Sequence, residues 1–405
     1  MTMETTFAER ALQIRHEQQR PMTLAQELTL AHNAWIRLPT AFNRQRLAVL
    51  AFRDDDFDSP IELLHDADDL NAVEHALLIQ SYLAKETEAD NCRARDAARK
   101  AAAAATNPVW QAAALADQAK AAVRLGQASE ARSLLGQSLK LDPNNKDACK
   151  RLAALDLAEG RARELTEWCE QLRAAGVGHA RLHAARVLGA AAQGDQAAAR
   201  AINGLDQLGH SERLDPPPGW DSIDAFNAAL AAELLAHKGL RFERYGSASN
   251  FSWRIEGLAR PDAPLVSLLL GHIADRVVAR VRAIEGHDHP WLADRPEQAL
   301  LRAWSVITEG DGFEGWHVHQ FGWLSGVYYV QIPDEIRSGS GLEGCIGFGL
   351  PEELAGPAPA AAYGVSTIRP EPGLMLTFPS HTFHRTFPYH GSGKRICVAF
   401  DLRPM

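Results

Sequence analysis

His317 and His319 stand two residues apart in the run Trp316-His317-Val318-His319. In an extended strand, residues i and i+2 share a face, so both imidazoles can point into one cavity while Trp316 and Val318 turn away. The strand rise puts their Cα atoms about 7 Å apart, near enough for two ring nitrogens to converge on one ion. His384 follows a strand-like GLMLTF run and a Phe378-Pro379-Ser380 turn, and Arg395 then opens the run RICVAFDL. Neutral imidazoles suit a divalent transition metal held from one side, with the remaining positions left to small ligands. A guanidinium at the far end of such a pocket suits a carboxylate, which its planar fork pairs at two points.

These residues need strands to position them, and the surrounding texture supplies strand signals. WSVI, LSGVYYV, GLMLTF and RICVAFDL are short apolar runs between glycine- and proline-containing turns. Tyr328 and Tyr329 are neighbours on one predicted strand, so only one of them can face the pocket. Ahead of the strands, Ile223–His237 and Leu265–Ala283 carry the pattern of amphipathic support helices.

The stretch from Trp304 to Leu402 resembles the 2-oxoglutarate/iron(II) oxygenases of the prolyl-4-hydroxylase-like superfamily. The likeness is greatest to the branch with H-x-H, an L-S-G-V-Y-Y strand and an F-P-S-x-x-x-H element. All three pieces stand here in order, as His317-Val318-His319, Leu324–Val330 and Phe378–His384, with Arg395 behind them. The resemblance implies a jelly-roll-like double-stranded β-helix that uses Fe(II), 2-oxoglutarate and oxygen to oxidise C–H bonds. It implies iron ligands at His317, His319 and His384, and a 2-oxoglutarate anchor at Arg395. Tyr328 and Cys397 are further candidates on the cosubstrate side. Two positions depart from the family pattern. His319 occupies the place of the usual carboxylate ligand, so Asp311 or Glu314 could complete the shell instead. Cys397 stands where a serine is common, and a thiol is the weaker hydrogen-bond partner. Three readings stay open: a 2-oxoglutarate-dependent dioxygenase, a three-histidine dioxygenase without 2-oxoglutarate, and a non-catalytic adaptor with a degenerate oxygenase domain.

Residues 1 to about 208 read as helix, rich in Ala, Leu, Glu, Gln and Arg. Gly126, Gly160 and Gly194 recur every 34 residues, each between two helical patterns. A helix–turn–helix period of that length is the signature of tetratricopeptide repeats. The best copy, Ala112–Asn145, resembles that family in Gly126, the small Ala131 and the closing Asp142-Pro143-Asn144-Asn145. The expected architecture is multidomain α and β. It comprises an N-terminal helical region (1–70), a tetratricopeptide-like solenoid (71–208), a proline-stiffened linker (209–219) and a double-stranded β-helix (jelly-roll/cupin-like) domain with support helices (220–405). Because such arrays bind extended segments along one face, the expected substrate is a peptide or protein gripped partly by the repeats.

Bulk composition narrows the rest. With 42 basic and 51 acidic residues the net charge is −9, which disfavours a nucleic-acid partner. No apolar run long enough for a membrane span is present, and the first 21 residues lack an apolar signal core, so a cytoplasmic location is expected. The five cysteines form no C-x-x-C pair and read as buried thiols. The acidic run Arg53–Pro60 reads as a solvated loop. His287, His289, His381 and His390 read as surface or rim residues.

Overall fold

A computed structural model describes residues 12–284 and 286–405. The chain divides into two compact units, residues 22–177 and residues 1–21 with 178–405. What was expected of the first eleven residues lies outside the described ones.

The unit of residues 22–177 is helical. Its helices are α1 (Leu24–Arg37), α2 (Ala41–Arg53), α3 (Asp58–Leu64), α4 (Ala72–Lys85), α5 (Glu88–Ala104), α6 (Pro108–Arg124), α7 (Ala128–Leu141), α8 (Lys146–Ala158) and α9 (Ala162–Ala174). Side-chain caps start many of them. Thr23 and Asn71 each form a full capping box, and Asn145 of the Asp-Pro-Asn-Asn run caps α8. Gly126 and Gly160 sit at φ +75° and +71°, the left-handed conformation that glycine adopts without steric cost. Alanines 112, 116, 119 and 122 on α6 are fully buried, which lets neighbouring helices approach closely. The acidic run is not a loop throughout: Asp56 accepts from the Asp58 and Ser59 amides and so starts α3.

The second unit adds helices α10 (Ala180–Ala192), α11 (Gln196–Asn203), α12 (Leu205–Leu208), α13 (Ile223–Leu235), α14 (Pro264–Ala283) and α15 (Pro290–Ala293) to a sandwich of two sheets. The strands are β1 (Gln13–His16), β2 (His210–Arg213), β3 (Leu240–Phe242), β4 (Ser249–Glu256), β5 (Gln298–Glu314), β6 (Leu324–Gln331), β7 (Ile346–Phe348), β8 (Ser366–Ile368), β9 (Leu374–Pro379), β10 (His384–Thr386) and β11 (Arg395–Pro404). The large sheet runs β2-β9-β6-β11-β5-β4-β3, with β1 parallel beside the start of β5; the small one runs β10-β7-β8. Apart from β1, every pairing is antiparallel. This is the jelly-roll type of domain expected.

Strand alternation divides the large sheet's side chains between two cores. Ile307, Tyr328, Met375, Ile396, Val398 and Phe400 pack with Phe226 and Leu230 of α13 and Val266 and Ile273 of α14. Trp304, Val306, Val327, Tyr329, Phe378 and Cys397 face the other way, toward Ile346 and Phe348 of the small sheet. Gly326 is needed where it stands, because a Cβ there would overlap the Phe400 ring and lie 2.6 Å from the Leu376 carbonyl oxygen.

Two expectations about segments are corrected. Residues 13–16 are strand, not helix. The segment before the prolines is no free spacer: β2 pairs with β9, the Leu214 amide donates to the Gly373 carbonyl at 2.9 Å, and Leu214 is buried. The chain divides at 177/178, so the Pro216–Pro218 run lies inside the β-containing unit.

Candidate metal centre

The site lies between the two sheets. His317 is locked to β10 by a reciprocal pair of backbone bonds, from the His317 amide to the His384 carbonyl at 3.0 Å and back at 3.1 Å. The His319 amide donates to the Ser380 carbonyl at 2.9 Å, so the Phe378-Pro379-Ser380 turn holds the second histidine. Neither histidine belongs to a regular strand, yet both rings enter the same cavity. His317 and His319 stack with centroids 5.2 Å apart, and His384 lies 4.1 Å from His317 and 4.9 Å from His319. One nitrogen from each ring lies within 4.8 Å of the others.

The remaining nitrogens show why these faces point inward. His317 Nδ1 bonds the Gly315 carbonyl at 2.7 Å, and His384 Nδ1 bonds the Thr382 carbonyl at 3.0 Å. A carbonyl only accepts, so each Nδ1 carries the proton and each Nε2 keeps its lone pair. His319 Nδ1 meets the Asp401 carboxylate at 2.5 Å, leaving its Nε2 3.2 Å from that of His317. Burial, and then the neighbouring His319, push His317 down to about 3. Burial also pushes His384 well down, with His317 and His319 adding to it. Both rings are therefore neutral at ordinary pH, the form that binds metal.

Asp401 is the residue the sequence reading missed. It projects from β11 on the same face as Arg395, Cys397 and Ala399, and the spacing of two could have revealed it. Its Oδ1 also accepts from Ser325 Oγ at 2.8 Å, and Ser325 meets Ser380 at 2.7 Å. Burial opposes its ionisation, but His319, Ser325 and Arg403 together outweigh burial and hold the carboxyl below its usual range. A carboxylate thus stands behind the histidine that occupies the usual carboxylate position.

The nearer carboxylates divide. Asp311 is exposed and pairs with His390 at 2.6 Å, away from the cavity. Glu314 lines the cavity, and burial pushes its carboxyl up despite Arg254 nearby. Arg395, Thr308, Tyr329 and Cys397 line the same cavity as the histidines. Arg395 is 4% exposed, its guanidinium lies 5.4 Å over the Tyr329 ring, and its Nε has no hydrogen-bond partner among the described residues. Thr308 Oγ1 is also buried without one. Unsatisfied buried donors around a cation fit an anionic group such as a carboxylate. The three lone-pair nitrogens fit a divalent transition ion.

Tyr328 is corrected: it faces the helical core and its hydroxyl donates to Asn227 Oδ1 at 2.7 Å, so Tyr329 is the tyrosine of the cavity. His381 is not at the rim. It is 1% exposed, its ring lies 5.0 Å from that of His183, and its Nε2 contacts the Asn203 carbonyl at 3.1 Å. His289 is buried and caps α15, whereas His287 and His390 are exposed.

Residues 302–401 match the model of the family described as "Putative 2OG-Fe(II) oxygenase", and residues 122–189 match a tetratricopeptide repeat model. No curated protein matches the chain. Among solved structures, a Pseudomonas putida prolyl-4-hydroxylase is similar at 13% identity and TM-score 0.35, covering 51% of this chain and 97% of its own. A Trichoplax adhaerens prolyl hydroxylase, solved with a hypoxia inducible factor peptide fragment, is similar at 11% identity and TM-score 0.34, covering 50% and 87%. Pseudomonas aeruginosa pilF is similar at 16% identity and TM-score 0.37, covering 46% and 84%. Residues 302–401 are a 2-oxoglutarate- and iron(II)-dependent oxygenase domain, an enzyme module on a chain that also carries tetratricopeptide repeats.

Proposed function

We propose that this oxygenase hydroxylates a peptide or protein substrate, that His317, His319 and His384 hold its iron, and that Arg395 holds the distal carboxylate of 2-oxoglutarate. The observation that carries the site assignment is the convergence of three imidazoles and a buried, incompletely paired guanidinium on one cavity. When bound, iron with 2-oxoglutarate supplies the oxidising power that breaks a substrate C–H bond.

The chain's own residues supply the geometry. The Gly315 and Thr382 carbonyls and the Asp401 carboxylate fix the three rings, each holding its Nδ1. Arg395, with Thr308 beside it, receives the carboxylate end of the cosubstrate. Trp304, Val306, Val327 and Phe378 wall the cavity with apolar surface and exclude water. The repeats support a peptide or protein as substrate, since stacked helix pairs present a long face to an extended chain.

The test is 2-oxoglutarate turnover by the full chain, read as succinate release. A peptide substrate predicts that some members of a mixed-sequence peptide library raise turnover severalfold and gain 16 mass units (about one oxygen atom). Turnover that no peptide raises, but that a small hydrophobic molecule does, contradicts the substrate class. Arg395→Lys, which keeps the charge and loses the fork, should raise the 2-oxoglutarate concentration needed without changing iron binding. An unchanged requirement removes Arg395 from its role.

A further inference from the structure

The helical unit holds a second cavity, of about 270 Å³, between α4 and α6 and floored by the end of α5. That is at the lower edge of the usual range for a small-molecule ligand and leaves room for one long side chain. Its walls are small and apolar, with Ala72 and Ala76 on α4, Ala104 at the end of α5, and Ala113 and Ala114 on α6. Trp110 stands at its edge, 42% exposed despite its size.

Asp117 lies in this apolar lining and is 9% exposed. Its Oδ1 accepts from Gln80 Nε2 at 2.7 Å, while no donor reaches its Oδ2 among the described residues. Burial raises its carboxyl to about 6; Arg151, Gln80 and Lys120 pull it down and Asp147 pushes it up. The other titratable group of the lining, His75, is held down by burial, so the positive charges that act on Asp117 are those of Arg151 and Lys120, and neither is paired with it by a salt bridge among the described residues.

We propose that this cavity binds the side chain of a lysine, its methylenes along the alanine walls, its ammonium on Asp117 Oδ2 and its outer stem against Trp110. The choice of lysine over arginine follows from the carboxylate. One oxygen is already occupied by Gln80, so a single point of contact is offered where a guanidinium fork needs two. The indole at the mouth adds apolar surface for the outer methylenes. For its ligand being a peptide this site rests on the reading given above; its chemistry does not depend on iron.

The experiment titrates the full chain, without iron or 2-oxoglutarate, with three capped tripeptides, Ala-Lys-Ala, Ala-Arg-Ala and Ala-norleucine-Ala, followed by ligand-observed NMR. The lysine peptide should bind at least about tenfold tighter than the norleucine one and no weaker than the arginine one, given the worth of a hydrogen bond to a charged group. Asp117→Asn, shown folded by an unchanged thermal transition, should bring lysine and norleucine within threefold of each other. Equal binding of lysine and norleucine, a preference for arginine, no binding at all, or a preference that survives Asp117→Asn overturns the site. The wild-type comparison decides the matter even if the variant fails to fold. A lysine site without peptide-stimulated turnover would sink the substrate reading alone, and the reverse result would sink this site alone.

Discussion

At the scale of single residues, the proposed iron site is three imidazoles whose orientation is set by what lies behind them. His317 and His384 lean on carbonyls, and His319 alone leans on a carboxylate, Asp401. As a ligand His319 would then be the most electron-rich of the three, and a bound ion would gain a partial compensating charge at second remove. Asp401→Asn preserves size and an acceptor but removes the charge. It should weaken iron(II) affinity by about 10–100-fold, the range for changes behind a ligand, and His319→Ala by more. Equilibrium titration of the apo-protein under argon checks both. Equal affinity for Asp401→Asn and wild type would show that the carboxylate does not act on the metal.

At the scale of elements, alternation along strands decides what reaches the cavity. β6 places Tyr328 and Tyr329 on opposite faces, one hydrogen-bonded to Asn227 and one beneath Arg395. Tyr328→Phe strands a buried acceptor, costing roughly 1–3 kcal/mol. It should lower the melting temperature by several degrees while leaving 2-oxoglutarate affinity alone. Tyr329→Phe should do the reverse, shifting that affinity with a smaller stability loss. If the two variants swap effects in thermal melts and 2-oxoglutarate titrations, the facing of β6 is wrong. Much of this was legible in the sequence, because β-branched and aromatic runs bounded by turns announce β5, β6, β9 and β11, and the H-x-H spacing announces two imidazoles in one cavity. Which tyrosine faces inward was not legible, because alternation fixes the contrast between neighbours but not its sign. The strand at Gln13–His16 was hidden too: its pairing partner, Gln298–Leu301, lies far along the chain, and four residues carry no pattern of their own. His381 was misplaced for a similar reason, since its partners His183 and Asn203 come from helices with no sequence link to the F-P-S turn.

At the scale of the molecule, the helical pattern and the compact units do not divide the chain at the same place. The 34-residue register runs on through α11, which starts at Gln196, while the contact boundary falls at 177/178. A fragment beginning at residue 215 lacks β2, leaves the outer edge of β9 unpaired and removes Asn203 from His381. One beginning at residue 178 keeps all of these; it omits the helical unit of residues 22–177 and, from its own unit, the segment that carries β1. The longer fragment should therefore melt cooperatively, and the shorter one should aggregate or melt broadly. Equal cooperativity by circular dichroism would show that β2 and α10–α12 contribute little to the fold. One cavity brings the three histidines together with Arg395, and it is proposed to hold iron and 2-oxoglutarate. The most direct test of that assignment is anaerobic titration of the full chain with iron(II) and then 2-oxoglutarate, following the visible metal-to-ligand charge-transfer band. The expected band requires both additions, is absent in His384→Ala, and needs more 2-oxoglutarate in Arg395→Lys. A band of full intensity in His384→Ala, or none in wild type with iron bound, would contradict the assignment.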